Sequence, residues 1–229
     1  MCFSATGSFI MGGGLIAAGV VSTRLALTRR RSYLALAVLP LLFGVQQLAE
    51  GVVWLRLLEG DVAGARPSAL AFMFFSHFFW LFWVPLGVAM SERVAWRRRL
   101  FWGVTAAGFL FGAGMWVPLV LDPGLPRAEI VQSSIFYGVD LIYDGVMPRD
   151  LSHALYAFFT LFALLAASDR RLVVLGGLMA VSAAGTLVFF LYAFASVWCF
   201  FAAFLSLYVI DVVRQGAGHA PRPVVAKAA

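Results

Sequence analysis

Long apolar runs separated by short polar clusters cover nearly the whole chain. A bilayer core about 30 Å thick takes about 20 apolar residues per helical crossing. Runs near 8–28, 33–58, 69–90, 100–121, 151–168, 172–189 and 193–213 approach that length, and they predict seven transmembrane helices. From Leu172 no charge intervenes until Asp211. A single helix from Leu172 to Val213 would be about 63 Å long, about twice the hydrocarbon thickness. The chain must therefore fold back, near Phe189–Ala195, where Tyr192 and its phenylalanine neighbours suit an interface.

The polar connections are short except for residues 122–150. Two prolines there precede an alternating stretch from Ile130 to Asp144. Gly138-Val139 could turn it into a hairpin, because glycine at the first central position suits a type II′ turn. Such a loop is either a lid over a site or a hairpin packed on the bundle. The small residues Gly12–Gly14 and Gly176–Gly177 are expected at close helix contacts. Residues 1–213 then form one transmembrane domain. The aperiodic end, 214–229, is expected to be a disordered cytoplasmic tail.

Composition agrees. The chain is 62% hydrophobic and 12% charged, with a mean hydropathy of +0.93. Soluble domains carry about 45–50% apolar and about 25% charged residues. A soluble globule, a disordered chain, a coiled coil and a disulfide scaffold are thereby excluded. The net charge of +6 does not suggest nucleic acid, because the positives stand in clusters between the spans. Thirteen of the seventeen fall on one side, leaving Arg56, Arg66, Arg127 and Arg149 on the other. Positive residues favour the cytoplasm, so the N-terminus is expected outside and the C-terminus inside. The first run has no positive segment before it, unlike a cleaved signal. The fold class read from the sequence is an all-α, seven-helix membrane bundle.

Polar residues within spans cost free energy and face the bundle interior or a water-filled cavity. Gln46, Glu50 and Trp54 share one helix face at i, i+4, i+8, with Gln47 alongside. Ser76 and His77 stand on the third span, and Ser152, His153, Tyr156 and Thr160 on the fifth. Tyr192, Ser196 and Cys199 stand on the last. Most fall in the outer half, and Glu50 and His77 both come out about 12 Å deep. The inner half is plainer, with Arg24 and Asp211 as a candidate ion pair. The expected site is an outward-facing polar pocket for a small molecule or metal ion. Glu50, His77 and Cys2 are the candidate acid/base or nucleophilic groups. Gln46, Gln47, Ser76, Tyr156, Ser196 and Asp140 are the candidate ligand contacts.

Glu50, His77, His153 and Cys199 carry the atoms that zinc or another divalent metal would need. A metal-dependent hydrolase is one reading of this set; a receptor, sensor or accessory membrane subunit without catalysis is the other. No local HxxxH or CxxC spacing supports the metal. Cys2 follows Met1, so trimming would expose an α-amine beside a thiol. Residues 1–7 lack charge and are expected to order against the outer cluster. A Cys2–Cys199 disulfide is open to an oxidising outer face.

Three segments carry a resemblance: Met1-Cys-Phe-Ser-Ala-Thr-Gly-Ser-Phe9, Pro40-Leu-Leu-Phe-Gly-Val-Gln-Gln-Leu-Ala-Glu-Gly-Val-Val-Trp54 and Ser196-Val-Trp-Cys-Phe-Phe-Ala-Ala203. They resemble an uncharacterised family of bacterial integral membrane proteins that begin Met-Cys-Phe-Ser-Ala-Thr. One departure is Gly7, where that family suggests alanine. The resemblance implies a multi-pass location in the bacterial plasma (inner) membrane and supplies no activity. The layout is also similar to membrane hydrolases of the alkaline ceramidase type, which bind zinc through histidines. Their paired histidines one turn apart are missing here.

Overall fold

The computed structural model describes residues 4–139 and 149–215, except the side chains of residues 149, 150 and 153. The described chain is mostly helical. We label its long helices α1 (Ala5–Arg29), α2 (Arg31–Leu58), α3 (Val62–Ser91), α4 (Ala95–Leu121), α5 (Arg149–Leu165), α6 (Arg170–Phe189) and α7 (Leu191–Gln215). Six of them are long and apolar enough to cross a membrane, which makes this a multi-pass membrane protein. The exception is α5, with a shorter apolar stretch, Ala154–Leu165. The fold-back expected between the last two runs occurs at Phe190, where α6 ends and a 3₁₀ turn over Leu191–Ala193 opens α7.

Helix starts follow local chemistry. Ser4 caps α1 by accepting from the Gly7 N–H at 3.1 Å, so α1 begins before the apolar run. Asp61 caps α3 through Gly64 N–H, and Asp169 caps α6 through Arg171 N–H. The middle of α3 widens into a π-helical segment, Phe74-Phe-Ser-His-Phe-Phe79. Such bulges recur at functional sites.

The most buried long helix is α2, against which α1, α3 and α7 pack. Glycines allow α1 and α2 to approach closely. A Cβ on Gly12 would stand 2.8 Å from Leu48 Cδ2 and 3.0 Å from the Gly44 carbonyl oxygen. Gly13, Gly14 and Gly177 meet nothing within 4 Å. The expected packing role therefore holds for Gly12 and Gly176, because only one residue in each cluster faces the neighbouring helix. The outer flanks of α1, α4 and α6 present Ile10, Leu110, Val181 and Val188, each more than 70% exposed. A soluble protein would bury such flanks, whereas lipid accepts them.

The chain turns gather at two ends. At one, Tyr33 donates its hydroxyl to Asp169 at 2.8 Å, and Ser168 N–H donates to Glu92 at 2.9 Å. At the other, Arg66 donates to the carbonyls of Leu125 and Asp122, both at 2.9 Å. From Ser152 at this second end, α5 runs to Leu165 beside the first. Arg24 makes no ion pair with Asp211 among the described residues, contrary to expectation. Asp211 accepts from Gln215, one turn along its own helix, and Arg24 is exposed.

Between α4 and α5 lies a hairpin, β1 (Arg127–Val131) paired antiparallel with β2 (Ser134–Gly138), with Ile130 opposite Ile135. Its turn is Gln132-Ser133, both with positive φ (46° and 67°), and not the expected Gly138-Val139. The shorter register puts Ile135 and Tyr137 inward and stacks Tyr137 on Phe72 at 4.8 Å. Burial of that face outweighs the cost of two non-glycine residues in the left-handed region.

Candidate functional site

The polar residues of the spans separate into two neighbouring groups. The first is a buried network around Glu50, itself fully buried with Gln46, Gln47 and Ser196. Helical spacing on α2 puts Gln46 and Glu50 one turn apart, and Ser196 approaches from α7. Ser196 Oγ donates to Glu50 Oε1 at 2.5 Å, and Gln47 Nε2 donates to Oε2 at 3.2 Å. Trp80 Nε1 donates to Gln46 Oε1 at 2.8 Å, while its ring stacks on Phe43 at 4.0 Å. The Cys199 thiol, one turn beyond Ser196, is free and buried and lies beside Gln46 and Glu50. Three helices are thus tied together through one carboxyl and one amide.

The second group lines a cavity of about 1430 Å³ at the hairpin end of the bundle. The hairpin contributes Arg127, Ala128, Glu129 and Ile135 to Val139. From α3 the π-helical segment supplies Ser76 and His77, joined by a 2.9 Å hydrogen bond between Ser76 Oγ and His77 Nδ1. Ser152 and Tyr156 come from α5, and Tyr192 and Trp198 from α7. Tyr156 sets its ring edge-on to Trp198 at 5.4 Å and lies within electrostatic reach of Cys199. The two groups therefore meet at Tyr156, Trp198 and Cys199.

One continuous pocket containing both Glu50 and His77 was the expectation from sequence, and the arrangement differs. Gln46, Gln47, Glu50, Ser196 and Cys199 are absent from the described lining of the cavity, whereas Ser76, His77 and Tyr156 belong to it. The reason lies in α7, which turns Ser196 toward Glu50 and Ala195 and Trp198 toward the cavity. Among the described residues no three His, Cys, Asp or Glu side chains converge as a metal site. Glu50 and Cys199 belong to the buried network and His77 to the cavity lining, while the fourth expected metal ligand, His153, has a side chain outside the described residues. Cys2, Asp140 and the His153 side chain lie outside the described residues.

Sequence reasoning missed Arg66, Tyr137 and Trp198. Arg66 lines the cavity and clamps the segment that leads into the hairpin. Trp198 lines the cavity, and its indole N–H is buried with no hydrogen-bond partner among the described residues. Buried tryptophan N–H groups ordinarily find one. Its place in the Ser196–Ala203 segment, eight residues after Phe190, was the signal that pointed to it.

No curated protein and no solved structure matches the chain. The model of a family of unknown function, DUF6629, matches residues 1–224, and the protein belongs to that family.

Proposed function

We propose that the protein binds a small amphipathic molecule in the hairpin-covered cavity, as a receptor, sensor or accessory subunit of the membrane. The carrying observation is a cavity of about 1430 Å³ under the hairpin whose lining brings Ser76, His77 and Tyr192 together among apolar neighbours. Ligand sites combine mostly apolar walls with a few convergent polar groups. Here Ser76, His77 and Tyr192 are the polar residues, and Tyr137, Tyr156, Phe194 and Trp198 offer aromatic surface. Without a converging metal set among the described residues, a metal-dependent hydrolase has less support than binding alone.

The same reading takes α5 as a seventh span and puts the N-terminus outside. Its support is the path of α5 from one end of the bundle to the other, and the crowding of arginines at the end opposite the cavity. In the inner membrane of a bacterium the cavity would then open outward. The test is His77→Cys in intact cells, treated with a small membrane-impermeant cationic thiosulfonate. Cysteine at 77 should react, while Val53→Cys, buried and off the cavity, should not. Reaction at 77 only after permeabilisation would refute an outward-open cavity. Purified protein should also retain a small molecule in native mass spectrometry that His77→Ala loses.

A further inference from the structure

At the opposite end of the bundle, the turns after α1, α3 and α5 enclose a second cavity, of about 530 Å³. Arg30, Arg93, Arg170 and Arg171 line it, with Glu92 and Asp169 as its two acids. Both carboxylates are already engaged. Glu92 accepts the backbone N–H groups of Arg93, Val94 and Ser168. Asp169 accepts the Tyr33 hydroxyl and the Arg171 N–H. None of the four guanidinium groups lies within 4.0 Å of a carboxylate among the described residues. Arg30 Nη1 is buried with no hydrogen-bond partner among them, its guanidinium resting 4.3 Å from the centre of the Tyr33 ring. Residues 216–229 carry no acidic side chain that could neutralise the cluster.

A cavity with four guanidinium groups that make no ion pair among the described residues has the chemistry of a phosphate site, because their forked donors match phosphate oxygens. Its wall includes Val174, which is 45% exposed on the lipid-facing flank of α6. The cavity therefore opens toward the region of lipid headgroups, and basic pockets between transmembrane helices hold such headgroups elsewhere. We infer that this cavity binds a phosphate-bearing anion, with Arg30 and Arg171 among its donors. The site is separate from the hairpin-covered cavity, so either reading can fail without the other.

The experiment uses the full chain, delipidated in a neutral maltoside detergent. It is titrated separately with dihexanoyl phosphatidylglycerol, dihexanoyl phosphatidylcholine and inorganic phosphate, and binding is read by native mass spectrometry and thermal shift. The anionic lipid should bind at least about tenfold more tightly than the zwitterionic one, and Arg30→Gln or Arg171→Gln should each weaken it by about tenfold. Arg56→Gln, at the other end, should leave it unchanged. Tighter binding of phosphatidylglycerol than of inorganic phosphate identifies a lipid as the source. Equal binding of the two, lost in the same variants, identifies a soluble phosphate. Absence of any preference over phosphatidylcholine by both anions overturns the inference. So does anion binding that Arg171→Gln leaves intact, a variant at a partly exposed side chain that serves as the readout if Arg30→Gln does not fold.

Discussion

Ser196 and Glu50, 146 residues apart in sequence, meet in a 2.5 Å hydrogen bond where both side chains are fully buried. This contact fixes α7 against α2. A lost donor beside a buried acceptor costs about 1–3 kcal/mol. Ser196→Ala should therefore destabilise the detergent-solubilised protein by that amount. Glu50→Gln should cost less than Glu50→Ala, because its amide oxygen still accepts from Ser196. Thermal unfolding of the three variants checks the order. A Ser196→Ala protein as stable as the parent would remove the contact from the account of the fold.

Trp80 makes two separable contributions, a stack on Phe43 and a hydrogen bond to Gln46. Trp80→Phe keeps a ring for the stack and removes the donor, so it should cost about 1–2 kcal/mol. Trp80→Ala removes both and opens a cavity, so it should cost about 3–5 kcal/mol. Equal losses in the two variants would mean that the hydrogen bond carries the whole effect.

The spans were legible because lipid imposes a length and a polarity on each, and charges mark their ends. The break at Phe190 follows from the same arithmetic. The face shared by Gln46 and Glu50 was legible from helical periodicity. That His77 lines the cavity while Glu50 is absent from its described lining was not, because equal depth along two helices does not say which way each side chain faces. The π-helical segment left no trace in Phe-Phe-Ser-His-Phe-Phe, which reads as ordinary apolar helix. At the hairpin, local turn preference pointed to Gly138, whereas burial of Ile135 and Tyr137 selected Gln132-Ser133. Tertiary burial overrode the local signal there.

Glycine substitutions on the packed helices α1 and α2 should act with opposite sign at Gly13 and Gly44. A Cβ at Gly44 would fall 2.7 Å from Ile16 Cγ1 and 2.8 Å from the Gly12 carbonyl oxygen, so α1 and α2 would have to part. Gly44→Ala should destabilise by roughly 1–3 kcal/mol, as overpacking does. Gly13 faces open space, and alanine there gains helix propensity of up to about 1 kcal/mol. Unfolding temperatures should fall for the first and hold or rise for the second. A fall of similar size in both would show that the α1–α2 contact is not set by Gly44.

Glu92 gives the end of the bundle opposite the hairpin a dependence on acid. Burial pushes its carboxyl pKa up, but the N–H groups of Val94, Ser168 and Arg93 outweigh that and hold it below its ordinary 4.5. A carboxyl whose folded pKa is depressed stabilises the fold fully above its unfolded pKa, and that stability is lost as pH falls through the folded value. Wild-type protein should therefore lose stability as pH falls below the ordinary carboxyl value of 4.5. Glu92→Gln cannot titrate, so it should start less stable at neutral pH and lose less on acidification. The turn between α3 and α4 should loosen from Ser168 in the same window, seen as faster hydrogen exchange at Arg93, Val94 and Ser168. If wild type and Glu92→Gln lose stability in parallel from neutral pH to about pH 3, another carboxylate governs the acid response.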